Sequence, residues 1–472
     1  MNTYYLNPTW DVIPRLDGVE LYHSGNSVPL ILSGAEMPEL VAGLCVGMSQ
    51  YKIGPLFELL IKNGVILEDH IPPKRPENNY LDLLDNHIIG PGRIVREVIS
   101  YKTPWNDFHV SYATGFAPRL VTGQSTLSGG WGADADPLLT DIKAAVEATE
   151  RYALAEYDET HQTRTLANVL DSSNITEPID SLYHPVDYQK LGRAPIAPLN
   201  ISGVAAHQSR EAALTNALLE LCEHEALMVA WFGRRDTPRI AVSSLDLQTR
   251  TYIARLEDMG WQVILKDISL DLVPVVMAIG LGPNGKRALI IGSCAAFTLR
   301  YAAAKALTEV IRTVLEDEVI HLEIPTIRRE QVNDIMGHSY YYARPENLAE
   351  ATFLWEGAGE IVANDNLTHG DIPTLAKAQH KWVDNPAAEL NYIGKTVMAS
   401  RGIAAYWLEM TPKVVVTASI PLFVVRTLAP EMARLTVGYN QRPARTKRFS
   451  KLLKKYGSGK AVNPAAQLTP FA

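Results

Sequence analysis

The chain has 472 residues, 47% hydrophobic and 20% charged, the composition of a soluble globular protein with room for two or three domains. A net charge of −8 argues against duplex nucleic acid as a general partner. Cys45, Cys222 and Cys294 are too few and too dispersed for a disulfide framework or a zinc site.

The start, MNTYYLNPTWDVIPR, lacks the charged and apolar parts of a signal peptide, and the longest apolar run, VVVTASIPLFVV, is too short to span a bilayer. A cytoplasmic protein is expected, with no membrane partner. DVIPRL, VELYHS and VPLIL then read as three short strands, split by the turn signals Asp17-Gly18 and Gly25-Asn26. Ser33 and Glu36 form a capping box opening the helix MPELVAGLCVG, and KIGPLFELLIKNGVIL gives a second apolar-periodic helix ending near Gly64. Three strands followed by helices predict a small winged-helix module. The Pro- and charge-rich EDHIPPKRPENN reads as its linker, which puts a domain boundary near residue 80.

Residues 80–440 read as an α+β domain. The Ala-rich helices DIKAAVEATERYALAEY, EAALTNALLELCEHEALMVAWF and LRYAAAKALTEVIRTVL alternate with the β-rich runs WQVILKDIS, VPVVMAIGLG and RALIIGS. GIAAYWLEMTP and VVVTASIPLFVVRTL read as two further strands. GLGPNG matches GxGxxG, but a dinucleotide site needs a helix next and KRALIIG is a strand, so Pro283-Asn284-Gly285 is expected to be a hairpin turn. Gly285-Lys286 is not a P-loop either, because Arg287 stands where Ser or Thr is required. The tail, 441–472, carries Arg442, Arg445, Lys447, Arg448, Lys451, Lys454, Lys455 and Lys460 with no acidic residue. Such runs are commonly solvated and mobile, and they can attract anionic ligands.

Three carboxylates interrupt the apolar helix LTNALLELCEHEALMVAWF. Glu220 and Glu223 share a face, and two like charges that close cost a few tenths of a kcal/mol even in water. Burial makes the cost larger unless a cation neutralises the pair. One reading is a polar edge meeting basic residues from elsewhere. Glu147 and Glu150 repeat the spacing on another Ala-rich helix, while Lys305 and Glu309 stand one turn apart on a third. Here too a structural reading exists, as the i, i+4 pairs Glu147–Arg151 and Lys305–Glu309. Taken together, four glutamates and a lysine suit Mg2+ ions carrying a nucleotide triphosphate: hard oxygens for the metals, a cation for phosphate.

In order and spacing these segments resemble the YcaO family, ATP-dependent enzymes that activate peptide backbone amides. Its SxxxExxER motif after a Gly-rich stretch is matched by SGGWGADADPLLTDIKAAVEATERYA. Its GtAAH and ALxExxERDA are matched by SGVAAHQSREAALTNALLELCEHEA, and RALxE by KALTE after GSCAAFTLR. The resemblance makes Glu147, Glu150, Glu220 and Glu223 the Mg2+ ligands against the ATP phosphates, and puts Gln208 at a nucleotide contact. Lys305 stands where the family usually has a phosphate-binding Arg, with Glu309 supporting its helix. Four departures stand out: Lys143 for Ser, Ala212 (beside Glu211) at an often acidic position, His224-Glu225 for Arg-Asp, and Lys305 for Arg, which keeps charge but loses the bidentate fork.

The resemblance extends to partners. The first 79 residues are similar to the RRE modules that bind the leader of ribosomally made precursor peptides by strand addition. The ending NPAAQLTPFA resembles the Pro-rich tails of azoline-forming members, which reach the active site; the alternative is a frayed terminus. The expected activity is a peptide cyclodehydratase: a Cys, Ser or Thr side chain adds to the preceding amide carbonyl, the oxyanion attacks ATP, and loss of phosphate leaves a thiazoline or oxazoline. A homodimer and an accessory azoline dehydrogenase are implied as partners. Two rival functions are a YcaO reaction giving a thioamide or amidine, and a catalytically silent scaffold that binds the precursor peptide. No general base is identifiable in the sequence.

Overall fold

The computed structural model describes residues 3–6, 10–15, 18–23, 30–33, 37, 40, 48–49, 53–62, 65–68, 79–90, 93–116, 127–156, 162–183, 201–320, 324–357, 359–363, 385–439, 441, 446–459 and 468–471. The chain divides into two compact units, one of Met1–His161, Pro185–Pro195 and Thr411–Leu422, the other of Gln162–His184, Ile196–Met410 and Phe423–Ala472.

The first unit begins with two small antiparallel sheets. β1 (Thr3–Leu6) lies between β5 (Met48–Ser49) and β6 (Ile66–Glu68), and β2 (Trp10–Arg15), β3 (Gly18–His23) and β4 (Leu30–Ser33) follow in sequence order. The last three are the expected strands, and Leu21, Leu32, Leu60, Val65 and Ile66 close a small core. The expected second helix is a 3-10 turn, Gly54–Leu56, and α1 (Phe57–Lys62), and β6 follows its expected end near Gly64. Apart from Met37 and Leu40, the helix expected from MPELVAGLCVG lies outside the described residues, as does the linker at 69–78. α2 (Asn79–His87) follows.

The rest of this unit is an antiparallel sheet, β7 (Val95–Tyr101), β8 (His109–Phe116) and β9 (Leu127–Asp134), covered by α3 (Pro137–Ala155). Asp136 caps α3 by accepting from the Leu138 N–H, and Pro137 at the first helical position needs no N–H partner. The Gly-rich stretch is a strand. At Gly132 a Cβ would stand 1.8 Å from the Thr140 carbonyl oxygen, and at Gly130 2.3 Å from that of Ala144. Only glycine lets the alanine face of α3 lie so close. Buried Asp141 ties helix to sheet by accepting from Ser100 Oγ (2.8 Å) and Ser111 Oγ (2.6 Å). One strand expectation fails here. VVVTASIPLFVVRTL is not a single strand, because Lys413–Thr417 is a short helix and only Phe423–Leu428 is extended. Pro412 precedes that turn, Pro421 separates it from the strand, and tertiary placement overrides β-branched propensity.

The second unit holds two five-stranded sheets. One runs β11 (Asn174–Pro178), β10 (Thr163–Asn168), β18 (Tyr406–Glu409), β19 (Phe423–Leu428), β12 (Val204–His207). The other runs β16 (Leu289–Ala295), β15 (Val275–Leu281), β14 (Gln262–Asp267), β13 (Arg239–Ile240), β17 (Glu360–Ile361). β15 and β16 are joined by the expected hairpin: the Lys286 N–H donates to the Pro283 carbonyl (3.1 Å), and Gly285 takes φ +86. α4 (Arg210–Phe232), capped by Ser209, is apolar on nearly every side and therefore buried. α5 (Leu299–Ile320) packs on β16, where a Cβ at Gly292 would meet the Ala306 carbonyl oxygen at 2.3 Å.

The basic tail is not a solvated run. Lys447–Tyr456 forms α7, after α6 (Ile335–Tyr342), and its Phe449 and Leu452 join the main core while Lys447, Lys451, Lys454 and Lys455 stay exposed. Counting charges misses the apolar residues at helical spacing between them. Arg448 turns inward, donating to Glu225 (2.9 and 2.8 Å) and to Asp271 (3.1 and 2.6 Å). Glu225 is fully buried and also accepts from the Ala433 N–H (3.2 Å). Burial pushes its carboxyl up to about 7 despite Arg448. Arg442, Arg445 and Lys460 lie outside the described residues. Leu468, Thr469 and Phe471 are buried rather than frayed: Tyr342 Oη donates to the Leu468 carbonyl (2.6 Å), and His338, whose Nε2 accepts from Gly438 N–H (2.7 Å), donates from Nδ1 to the Thr469 carbonyl (2.7 Å).

Removing Arg448 would leave buried Glu225 and half-buried Asp271 without their counter-charge. Arg448→Met is expected to cost about 3–5 kcal/mol of unfolding free energy, and Glu225→Gln in the same chain to recover part of it. Urea unfolding of the two variants checks this; a loss near zero, as for an exposed tail residue, would refute the docking.

Candidate functional site

α4 places its carboxylates between the two sheets of the second unit. Glu220 Oε2 accepts from the N–H groups of Gly203 (3.1 Å) and Val204 (2.8 Å), at the start of edge strand β12. One turn on, Glu223 reaches the other sheet, where it accepts from Ser293 Oγ and from the Ala295 N–H (3.0 Å) of edge strand β16. An edge strand has N–H groups with no ladder partner, and the carboxylates fill that role. Gly203 is required at its position: φ is +84, and a Cβ would stand 2.4 Å from the Thr427 carbonyl oxygen.

α5 brings Lys305 and Glu309 to the same side of β16 as Cys294. Burial pushes the Glu223 carboxyl up; Ser293 and Ala295 pull it down, and the nearby Glu309 charge adds to the rise. The Cys294 thiol is also pushed up by burial and by Glu223, with Lys305 opposing. The expected Lys305–Glu309 pair does not form: Glu309 binds Arg312 Nε (3.1 Å), and Lys305 Nζ lies 5.6 Å from the Tyr301 ring centroid. Among the described residues Lys305 makes no ion pair.

Glu147 and Glu150 are on α3 of the first unit. Glu147 does form the Arg151 pair (2.8 and 3.2 Å) and accepts from the Trp131 N–H (2.8 Å). Glu150 is partly buried one turn on. Gln208 is exposed just before Ser209. Of the departures, Lys143 pairs with Asp134 at the end of β9, Ala212 is buried in the first turn of α4, and Glu211 accepts from Ser209 Oγ (3.0 Å). His224 is buried and bonded to Ser202. Sequence reasoning missed Ser293 and Ser202, whose signals were the GSCA at the end of a strand and the SG before VAAH.

Among the described residues no three acidic, His or Cys side chains converge on one metal position. That fits Mg2+, which is commonly held by one or two carboxylates with the remaining ligands from phosphate and water. Among the described residues, half-buried Glu223 accepts from neutral donors beside Glu309, and Lys305 has no carboxylate partner; the two supply the charges such a group needs. The donor set therefore fits a magnesium–nucleotide group. No described helix is long and apolar enough to cross a membrane.

Comparison with known proteins agrees. The model of the family described as YcaO cyclodehydratase, ATP- and Mg2+-binding, matches residues 135–433. No curated protein matches the sequence. Among solved structures, one described as a heterocyclase in complex with substrate and cofactor has a TM-score of 0.58 at 15% identity, covering 90% of this chain. This chain spans only 61% of that one. YcaO from Methanopyrus kandleri bound with AMPPCP and Mg2+ has a TM-score of 0.53 at 16% identity, covering 78% of this chain and 90% of its own. The E. coli microcin synthetase McbBCD complex with pro-MccB17 bound has a TM-score of 0.54 at 13% identity, covering 79% and 96%. At these identities the likeness to the solved structures is one of fold. The family model, which spans more than half of the sequence, goes further: this chain belongs to the YcaO family of ATP- and Mg2+-binding cyclodehydratases.

Proposed function

We propose that the chain uses ATP to close Cys, Ser or Thr side chains of a ribosomally made precursor peptide onto the preceding backbone carbonyls, giving thiazoline or oxazoline rings with release of ADP and phosphate. The observation that carries this reading is the pair Glu220 and Glu223, pinned to two sheet edges with Glu309 and Lys305 beside the second. In it, Glu147, Glu150, Glu220 and Glu223 hold Mg2+, Gln208 contacts the nucleotide, and Lys305 faces the phosphates with Glu309 in support. Bound Mg-ATP supplies the phosphoryl group that turns the amide oxygen into a leaving group.

The protein's share is positioning and charge. Backbone N–H donors hold the Glu220 and Glu223 carboxylates in place at the two sheet edges. Lys305 offers a point charge where an Arg would offer a fork. Residues 1–79 are the leader-binding part in this reading; β4, an edge strand, supports peptide addition to the β2-β3-β4 sheet. An azoline dehydrogenase and a second copy of the chain are the partners proposed with it.

Incubated with Mg-ATP and a precursor peptide encoded beside its gene, the full chain is expected to remove one water per ring formed, read by intact mass, and Glu223→Gln to abolish the loss. An unchanged peptide mass despite tight leader binding would favour the scaffold, and a mass change that requires sulfide would favour thioamide formation. Lys305→Ala should weaken ATP binding by tenfold or more, since a charge-assisted contact contributes about 1.5–3 kcal/mol, while Lys305→Arg should retain it; equilibrium dialysis with labelled ATP measures both.

A further inference from the structure

The main-chain bonds of β16 alternate in direction. Opposite residues of two antiparallel strands take turns at bonding each other, and the pairing of β15 with β16 runs from Val275↔Ala295 to Leu281↔Leu289 with no shift of register. Just beyond its ends, the Ala296 N–H donates to the Pro274 carbonyl (3.0 Å) and the Gly282 N–H to the Ala288 carbonyl (3.2 Å). Even-numbered residues of β16 therefore bond inward to β15. Leu289, Ile291, Ser293 and Ala295 turn their N–H and C=O groups outward, along the edge of the sheet.

One of these outward groups is already used, the Ala295 N–H, which Glu223 accepts (3.0 Å). At Ile291 and Ser293 the side chains are accounted for: Ile291 packs against the main core, and the Ser293 hydroxyl donates to Glu223. Their outward main-chain groups have no partner among the described residues, and both residues are partly exposed. Edge strands are commonly guarded by a charged side chain, a Pro or a bulge, and LIIGSCA carries none of these. What such an edge fits is another main chain in extended form, which offers N–H and C=O groups at every second residue.

We propose that the stretch of precursor peptide next to the reacting residue lies along Leu289–Ser293 as an added strand, bonded through the main chain of Ile291 and Ser293. This rests on the reading of the chain as a modifier of peptide backbones. The placement follows from what holds the next outward position. At about 3.4 Å per residue, Ala295 lies about 7 Å beyond Ser293; its N–H is held by Glu223, and Lys305 is near the neighbouring Cys294. A strand added at Ile291 and Ser293 ends at those two charges, where the proposed function puts Mg2+ and the phosphates.

Two measurements on the full wild-type chain with Mg-ATP test this, using a precursor peptide encoded beside its gene. In the first, single backbone amides on either side of the ring-forming residue are replaced by esters, each removing one N–H donor, and kcat/KM is followed through the loss of water by intact mass. Alternate replacements are expected to lower it about two- to tenfold, as for one hydrogen bond, and those between them to leave it unchanged. In the second, a diazirine-bearing residue beside the ring-forming one is photolysed in the complex, and the cross-link is expected within residues 289–293. An equal response to every ester, or cross-links only elsewhere on the chain, with rings still formed, overturns the inference and leaves the proposed function standing. No loss of water from the unaltered peptide overturns the proposed function itself, and the inference with it.

Discussion

An α-helix buried between two sheet edges has to satisfy backbone donors that no neighbouring strand can reach, and α4 does so with carboxylates. Glu220 serves the start of β12 and Glu223 the edge of β16. Each bond is a charge-assisted one in a partly desolvated place, stronger than a neutral bond and costly to lose. The arrangement joins the two five-stranded sheets of the second unit through a single helix. It also sets two carboxylates one turn apart on the same helix. A cation lowers the energy of such a pair, which is the part the proposed function gives to the magnesium of bound Mg-ATP.

The third carboxylate of the helix shows what the other two are not. Glu225 is fully buried and meets its cation within the chain, Arg448 on α7, which also binds Asp271. That triad fastens the C-terminal helix to α4. Beyond it, Leu468, Thr469 and Phe471 are drawn into the core against Tyr342, His338 and Trp231, the last two turns past Glu223 on α4. His338 acts as a neutral clamp, donating from one nitrogen and accepting at the other, a state favoured by burial. The C-terminal segment is therefore part of the framework that holds the site helix in place.

Glycine has a different task in each unit from the one a phosphate loop would give it. Gly130, Gly132 and Gly292 let alanine-faced helices approach strands within a distance that a Cβ would forbid, and Gly203 turns the chain so that two successive N–H groups aim at one carboxylate. The Ala-rich composition of α3 and α5 is the other half of that fit. Small residues on both surfaces bring helix backbone and strand backbone close, which is how Glu309 and Lys305 come near the residues of β16.

Much of this was legible in the residues themselves. The spacing of apolar positions located α3, α4 and α5, the alternation of β14 to β16 and the Pro283–Gly285 turn, because those signals are local and period-bound. The carboxylate spacings singled out Glu147, Glu150, Glu220 and Glu223, and the motifs around them named the family. What remained hidden depended on partners distant in sequence. Nothing near Glu225 announces Arg448, nothing near Glu223 announces Ser293, and a count of lysines concealed the amphipathic face of α7. The β-branched run at Val414 became helix for the same reason, its surroundings outweighing its propensity. Sequence by itself determined which residues are charged, which are small and how they repeat. Only the tertiary structure decided which charge is met by a cation and which by backbone N–H groups, since that choice belongs to whichever element folding brings alongside.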